Sequence, residues 1–248
     1  MTAFSTSAAP MSRVQSAQPP VRLAAVLMIL VVATFAVAPI VLGAAINWPA
    51  SLDYPASQML PLLIQQQAAI LIGYSGYLLS SILIIPMALL LWQALDPERQ
   101  SATLQIATTF GVLAGVAKPL GILRWFVAMP ALAQSYVDAN TTDTTRQAIT
   151  VAYDTLNAYA GTLGELLGVA LLGGMWALLL GFGLLRQRRM LLFGWLGIFV
   201  GVLSLLPLGQ VYGLDFGPIL VASNVAWYLW VLAFGIRLLV ARPAAARS

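Results

Sequence analysis

Polar positions along this chain fall in clusters, and six apolar stretches lie between them, each long enough to cross a bilayer core that needs about 20 helical residues. The first runs from Leu23 to Ile46, 24 residues without a charge. A cleavable secretory signal would have an apolar region of only about 7 to 15 residues, so an uncleaved helix is expected here. The others are expected at about 68–92, 104–127, 160–185, 190–212 and 217–240. Fold class follows: an all-α integral membrane bundle of six transmembrane helices over 22–242, with 1–21 as a disordered cytoplasmic tail and 243–248 as a short cytoplasmic one.

The links between spans differ in length. Asn47 to Gln67 holds Trp48, three prolines and Asp53, with Met59 to Ile64 as an apolar patch suited to the membrane interface. Gln93 to Thr103 is a polar turn containing Asp96-Pro97-Glu98-Arg99, and a tight turn through Gly213, Asp215 and Gly217-Pro218 precedes the last helix. After Met129-Pro130 the chain turns polar through Asp138 and Asn140. Thr144-Thr145-Arg146-Gln147 then fits a capping box, and a helical pattern continues to Leu185. About 40 residues at 1.5 Å each would reach about 60 Å, twice the hydrocarbon thickness. The first part should therefore stand outside the membrane or bend at Gly161 or Gly164.

Charge sets the orientation. With both termini cytoplasmic, the inner side collects Arg13, Arg22, Arg99, Arg186, Arg188, Arg189, Arg237, Arg242 and Arg247, and the outer loops hold only Arg146. Trp48, Trp92, Trp125, Trp195 and Tyr212 fall near the expected interfaces, as an aromatic belt requires. The net charge of +4 thus serves topology, and nucleic acid is excluded as a partner.

Sixty percent hydrophobic residues, 8% charged and a mean hydropathy of +0.90 leave no room for a separate soluble domain. The absence of cysteine and histidine removes disulfides, thiolate and imidazole metal sites, His-ligated haem and every Cys or His base. No phosphate loop, zinc helix or intramembrane carboxylate pair is present, so the expectation is a protein that is not an enzyme and takes no cofactor or metal.

Two cations break the apolar pattern, Lys118 beside Pro119 and Arg124 beside Trp125. A cation within a span is costly unless it is paired, faces water or snorkels to an interface. Counting 1.5 Å per residue from the inner boundary puts Lys118 about 18 Å up, Arg124 about 27 Å up and Glu165 about 30 Å up. Arg124 and Glu165 are thus level, and Lys118 could snorkel toward that carboxylate. Tyr74, Tyr77 and Asn224 lie near the depth of Lys118, and the inner halves, Ile82 to Leu91 and Ala177 to Leu185, are almost wholly apolar. The candidate ligand-binding residues are therefore Lys118, Arg124, Glu165, Tyr74, Tyr77 and Asn224, around a polar pocket over an apolar cytoplasmic floor. A sealed ion-pair network that only packs the helices is the plain alternative.

Glycine pairs at i, i+4 spacing within spans, Gly111/Gly115, Gly164/Gly168 and Gly197/Gly201, favour intramolecular packing over a dimer motif, so a homo-oligomer is open but unsupported. Trp227 and Trp230 are read as packing or lipid contacts. No internal repeat relates the two halves of the chain.

The tail ending in Arg22, the long first helix, the extended segment before the fourth span with its Gly164-Glu165, and the Arg186-Gln187-Arg188-Arg189 turn resemble a group of uncharacterised bacterial multi-pass membrane proteins classed as a domain of unknown function. The resemblance implies a bacterial plasma (inner) membrane location and no established activity, and it carries over no catalytic residue. Three functions stay open: binding or sensing of a small anionic or amphiphilic ligand from the outer side; a small secondary transporter in which Glu165 and Lys118 exchange partners; and a structural or partner-binding membrane protein.

Overall fold

In a computed structural model, which describes residues 19–214 and 216–240, every regular element is helical. The chain runs through α1 (Pro19–Ile46), a 3₁₀ turn (Ala50–Asp53), α2 (Ala56–Gln65), α3 (Gln67–Leu95), α4 (Ala102–Ile122), a 3₁₀ turn (Leu123–Trp125), α5 (Ala128–Val137) and α6 (Asp143–Gly161). A π-helix (Thr162–Gly173) leads without a break into α7 (Gly174–Leu185). A 3₁₀ turn (Arg188–Met190), α8 (Leu191–Leu205), a further 3₁₀ turn (Leu206–Tyr212) and α9 (Gly217–Val240) complete the chain. Among the described residues, six helices are long and apolar enough to span a membrane.

Those six form a closed ring in chain order. Helix α1 packs on α3, α3 on α4, α4 on the π-helix and α7, α7 on α8, α8 on α9, and α9 returns to α1. Close approach depends on glycine: a Cβ at Gly181 would stand 2.7 Å from the Gly194 carbonyl, and one at Gly201 2.5 Å from the Leu178 nitrogen. The Gly111 and Gly115 positions likewise seat Trp176 and Ile85, and Gly197 seats Trp230, so these pairs serve contacts within the chain. The outward stripes are apolar, with Ile72, Leu79, Leu113, Leu120, Leu192, Phe199, Leu229 and Ile236 exposed as a lipid-facing surface requires.

One end of the ring carries a cap. Helix α2 packs on α5, and both touch α6. Tyr153 Oη donates to the Tyr54 carbonyl at 3.1 Å and Asn157 Nδ2 to the Leu52 carbonyl at 2.9 Å, tying α6 to the segment after α1. Met59, Leu60 and Leu63 are buried. The patch expected at the membrane interface therefore faces the cap's own core, because α5 covers it.

Several boundaries differ from expectation. The first helix begins at Pro19, inside the segment assigned to the tail, since proline is tolerated in a first turn, where a backbone N–H would have no intrahelical acceptor. The rest of that tail, Asp215 and the 243–248 tail lie outside the described residues. The third span ends at Ile122, where the winding tightens into the 3₁₀ turn, and α5 follows as a separate amphipathic helix. The N-cap of α6 is Thr142, whose hydroxyl accepts from the Thr145 N–H at 3.2 Å, two residues before the expected box. Between Gly161 and Gly164, where a bend is one of the two expected outcomes, the helix runs on and changes to π winding at Thr162.

Candidate functional site

A cavity of about 680 Å³ occupies the capped end of the ring, within the range of small-molecule sites. Tyr74 and Tyr77 of α3, Lys118 of α4, Arg124 of the following turn, Glu165 of the π-helix and Asn224 of α9 all line it. The six candidate residues therefore share one space, and they do not form the ion-pair network of the alternative reading.

Lys118 makes the floor. Its neighbour Gly168 accounts for the direction of the side chain: a Cβ there would stand 2.8 Å from Lys118 Cγ, so the π-helix packs against the lysine stem. The amine reaches across the ring to donate to Tyr228 Oη at 3.1 Å. It lies 5.4, 5.6 and 5.2 Å from the ring centroids of Tyr77, Trp227 and Tyr228. An aromatic cage of this kind attracts a cation through the negative faces of the rings and is stronger when desolvated. The cage is itself braced, since Phe35 stacks on Tyr228 at 3.7 Å and Ser80 Oγ donates to the Val31 carbonyl while lying 3.4 Å from Tyr228 Oη. Lys118 does not snorkel to Glu165.

Arg124 occupies the upper wall. Along an unbroken α-helix it would point about 120° away from Lys118, and the tighter 3₁₀ turn after Ile122 brings it back to about 80°. Its Nη1 donates to the Gly121 carbonyl at 3.1 Å, and its guanidinium lies 5.1 Å from the Trp125 ring centroid. Trp125 stacks on Tyr74 at 4.9 Å, with planes 5° apart. The position assigned to the aromatic belt is thus buried inside the bundle, where it backs the site. Trp195 and Tyr212 remain exposed.

Direct ion pairing is absent from the site. Among the described residues, the one ion pair within 4.0 Å joins Arg146 and Asp143, in α6. Neither Lys118 nor Arg124 has a carboxylate at that distance, and Glu165 is partly exposed on the cavity wall. Three buried donors on residues that line the cavity also lack a protein partner: Arg124 Nε, Tyr74 Oη and Trp48 Nε1. Buried polar groups are ordinarily satisfied, so three orphans on the residues around one cavity are donors that a small side-chain rotation would offer to an acceptor-bearing ligand or ordered water. Among the described residues, no group of acidic side chains is placed to hold a metal ion.

Below the cage the ring is filled. Trp176 of α7 lies 5.3 Å from Trp227 and 5.7 Å from Trp230, whose Nε1 donates to the Phe193 carbonyl at 3.1 Å, and Phe234 follows one turn on. Trp227 and Trp230 are core residues, and Trp227 also forms a cage wall. Tyr228 and Phe35 escaped the sequence reading. Tyr228 is four residues beyond Asn224 and so one turn deeper on the same face, the spacing that could have found it.

No curated protein and no solved structure matches this chain. A family model described as Domain of unknown function (DUF4386) matches residues 23–241, and the chain belongs to that family.

Proposed function

We propose that this protein is a non-catalytic binding or sensing component of the bacterial plasma membrane. It receives a small anionic ligand in the cavity at the capped end of the bundle. The observation that carries the proposal is the set of unpartnered donors, Arg124 Nε, Tyr74 Oη and Trp48 Nε1, on residues lining a cavity in which no carboxylate comes within 4.0 Å of either cation. A buried guanidinium without a direct ion pair is unfavourable, and an anion accepting from it would relieve that cost. The positive-inside distribution of arginine supports an orientation with the cap outside and the termini in the cytoplasm. An exchange of partners between Glu165 and Lys118, as a transporter would need, has no support: the lysine is held in its cage, and the aromatic column closes the ring beneath it.

The test is a thermal-shift titration of the protein in phospholipid nanodiscs with inorganic phosphate and with hexanoate. At least one anion should raise the melting temperature of the wild type and leave Arg124→Gln unchanged. Equal shifts in both proteins, or none with either anion, would remove the proposal.

A further inference from the structure

The exposed residues that line the cavity are confined to one side of the ring. Pro39 belongs to α1, Ala50 and Asp53 to the turn after it, and Pro218, Val221 and Val225 to α9. The residues lining from α3, α4 and the π-helix are buried or partly buried. The mouth is therefore at the α1/α9 seam.

Its depth is fixed by the Phe35–Tyr228 stack, which joins the two helices across the seam at 3.7 Å. Below that stack the helices are in close contact, with a Cβ at Gly235 placed 3.0 Å from Met28 Cβ and 3.2 Å from the Ala25 carbonyl. Above it, Pro39 is one turn further along α1, and Val225 and Val221 are about one and two turns back along α9, so the three face the seam at corresponding levels. Val221 and Val225 also continue the exposed stripe of Leu229, Ile236 and Val240 at helical spacing. That stripe meets lipid. The two valines thus touch lipid and line the cavity at once, about 6 and 12 Å below the start of α9.

We propose that the mouth is a lateral portal to the outer leaflet, and that the ligand is a single-chain anionic amphiphile, with a carboxylate or phosphate head, drawn from the membrane. This deepens the function proposed above and rests on it. The geometry supplies both halves of such a ligand. Arg124 follows α4, across the ring from the α1/α9 seam, and Tyr74 stands on α3 beside α1, so a molecule entering sideways reaches the guanidinium head first. Its chain trails between Pro39 and Val225 into the hydrocarbon. Asp53, exposed at the upper rim, disfavours a second anionic group at the aqueous end of the slot and so favours one head and one chain.

The experiment uses the full chain in phosphatidylcholine vesicles with a palmitate carrying a diazirine near the end of its chain, and maps the photo-adducts by mass spectrometry. Adducts are expected on Pro39, Val221, Val225 and their outward neighbours. Their yield should fall about tenfold in Arg124→Gln, the loss of one charge-assisted contact. Val225→Trp, which fills the seam without touching the far wall, should reduce it comparably. Adducts elsewhere, with yield unaffected by Val225→Trp, would overturn the portal. If hexanoate bound in an Arg124-dependent way while palmitate gave no Arg124-dependent adducts, the ligand would be a soluble anion, and the portal alone would fail. Absence of both would remove the portal together with the function it rests on.

Discussion

Lys118 and Tyr228, 110 positions apart, meet through a hydrogen bond of 3.1 Å from amine to phenol at the centre of the ring. Tyr228→Phe leaves the amine caged but without that acceptor. The expected cost is about 1 to 2 kcal/mol, read as a lower melting temperature in detergent. Lys118→Met keeps most of the stem volume and discards the charge, so its stability should equal or exceed that of the wild type. A wild-type melting temperature for Tyr228→Phe would show that the bond adds nothing.

Two glycines near Arg124 separate crowding from open space. A Cβ at Gly121 would stand 2.6 Å from the Ala160 carbonyl and 2.7 Å from Gly164 Cα, both backbone atoms that cannot swing aside. Gly121→Ala should therefore push α4 from the π-helix and cost about 1 to 3 kcal/mol. Gly161→Ala, where the nearest atom is Arg124 Nη2 at 3.8 Å, should stay within about 0.5 kcal/mol of wild type or gain slightly from helix propensity. Unfolding midpoints of the two variants side by side decide the matter.

The six spans were legible because an apolar run of bilayer length has few alternatives, and the depth count brought Tyr74, Tyr77, Lys118, Arg124, Glu165 and Asn224 to one cavity. Depth along a helix does not give rotation about it. That is why Lys118 was paired with Glu165, whereas the structure turns it toward Tyr228 and lets Gly168 fill the place beside its stem. Trp125 was misplaced for a related reason: the 3₁₀ turn that follows Pro119 and Ile122 leaves no signature in hydropathy, and an aromatic at the end of a span reads the same whether it faces lipid or Tyr74. The π winding at Thr162 was equally hidden, as glycines at 161, 164 and 168 suit several helical geometries.

Between α3 and α4, Asp96 accepts from the Ser101 N–H at 2.8 Å and from the Gln100 N–H at 3.1 Å. These bonds, Ser101 foremost, hold its carboxyl below the usual carboxylate value. A carboxyl depressed in the folded state contributes stability above its unfolded pKa of about 4, and that contribution is lost as pH falls through the folded value. Asp96→Asn should thus melt below wild type at neutral pH, and the gap should narrow on acidification. A gap that is constant with pH would refute the assignment.

Orientation is open to direct chemistry because the chain has no cysteine. Asn140→Cys, between α5 and α6, should react with a membrane-impermeant thiol reagent in intact cells. Gln100→Cys, between α3 and α4, should react only after permeabilisation. The reverse pattern would invert the bundle and put the cavity mouth in the cytoplasmic leaflet.

Every junction of the ring but one joins spans that are consecutive in the chain; the exception, α1 against α9, joins the first to the last. During synthesis the partner for α1 on that side does not exist until the final span is made, so this junction also closes the longest loop and is the last that can form. A growing chain therefore passes through a stage in which five spans have been made and the sixth has not, with Lys118 lacking Trp227 and Tyr228. Arrival of α9 completes the aromatic cage and the wall of the cavity together, which ties completion of the site to completion of the fold.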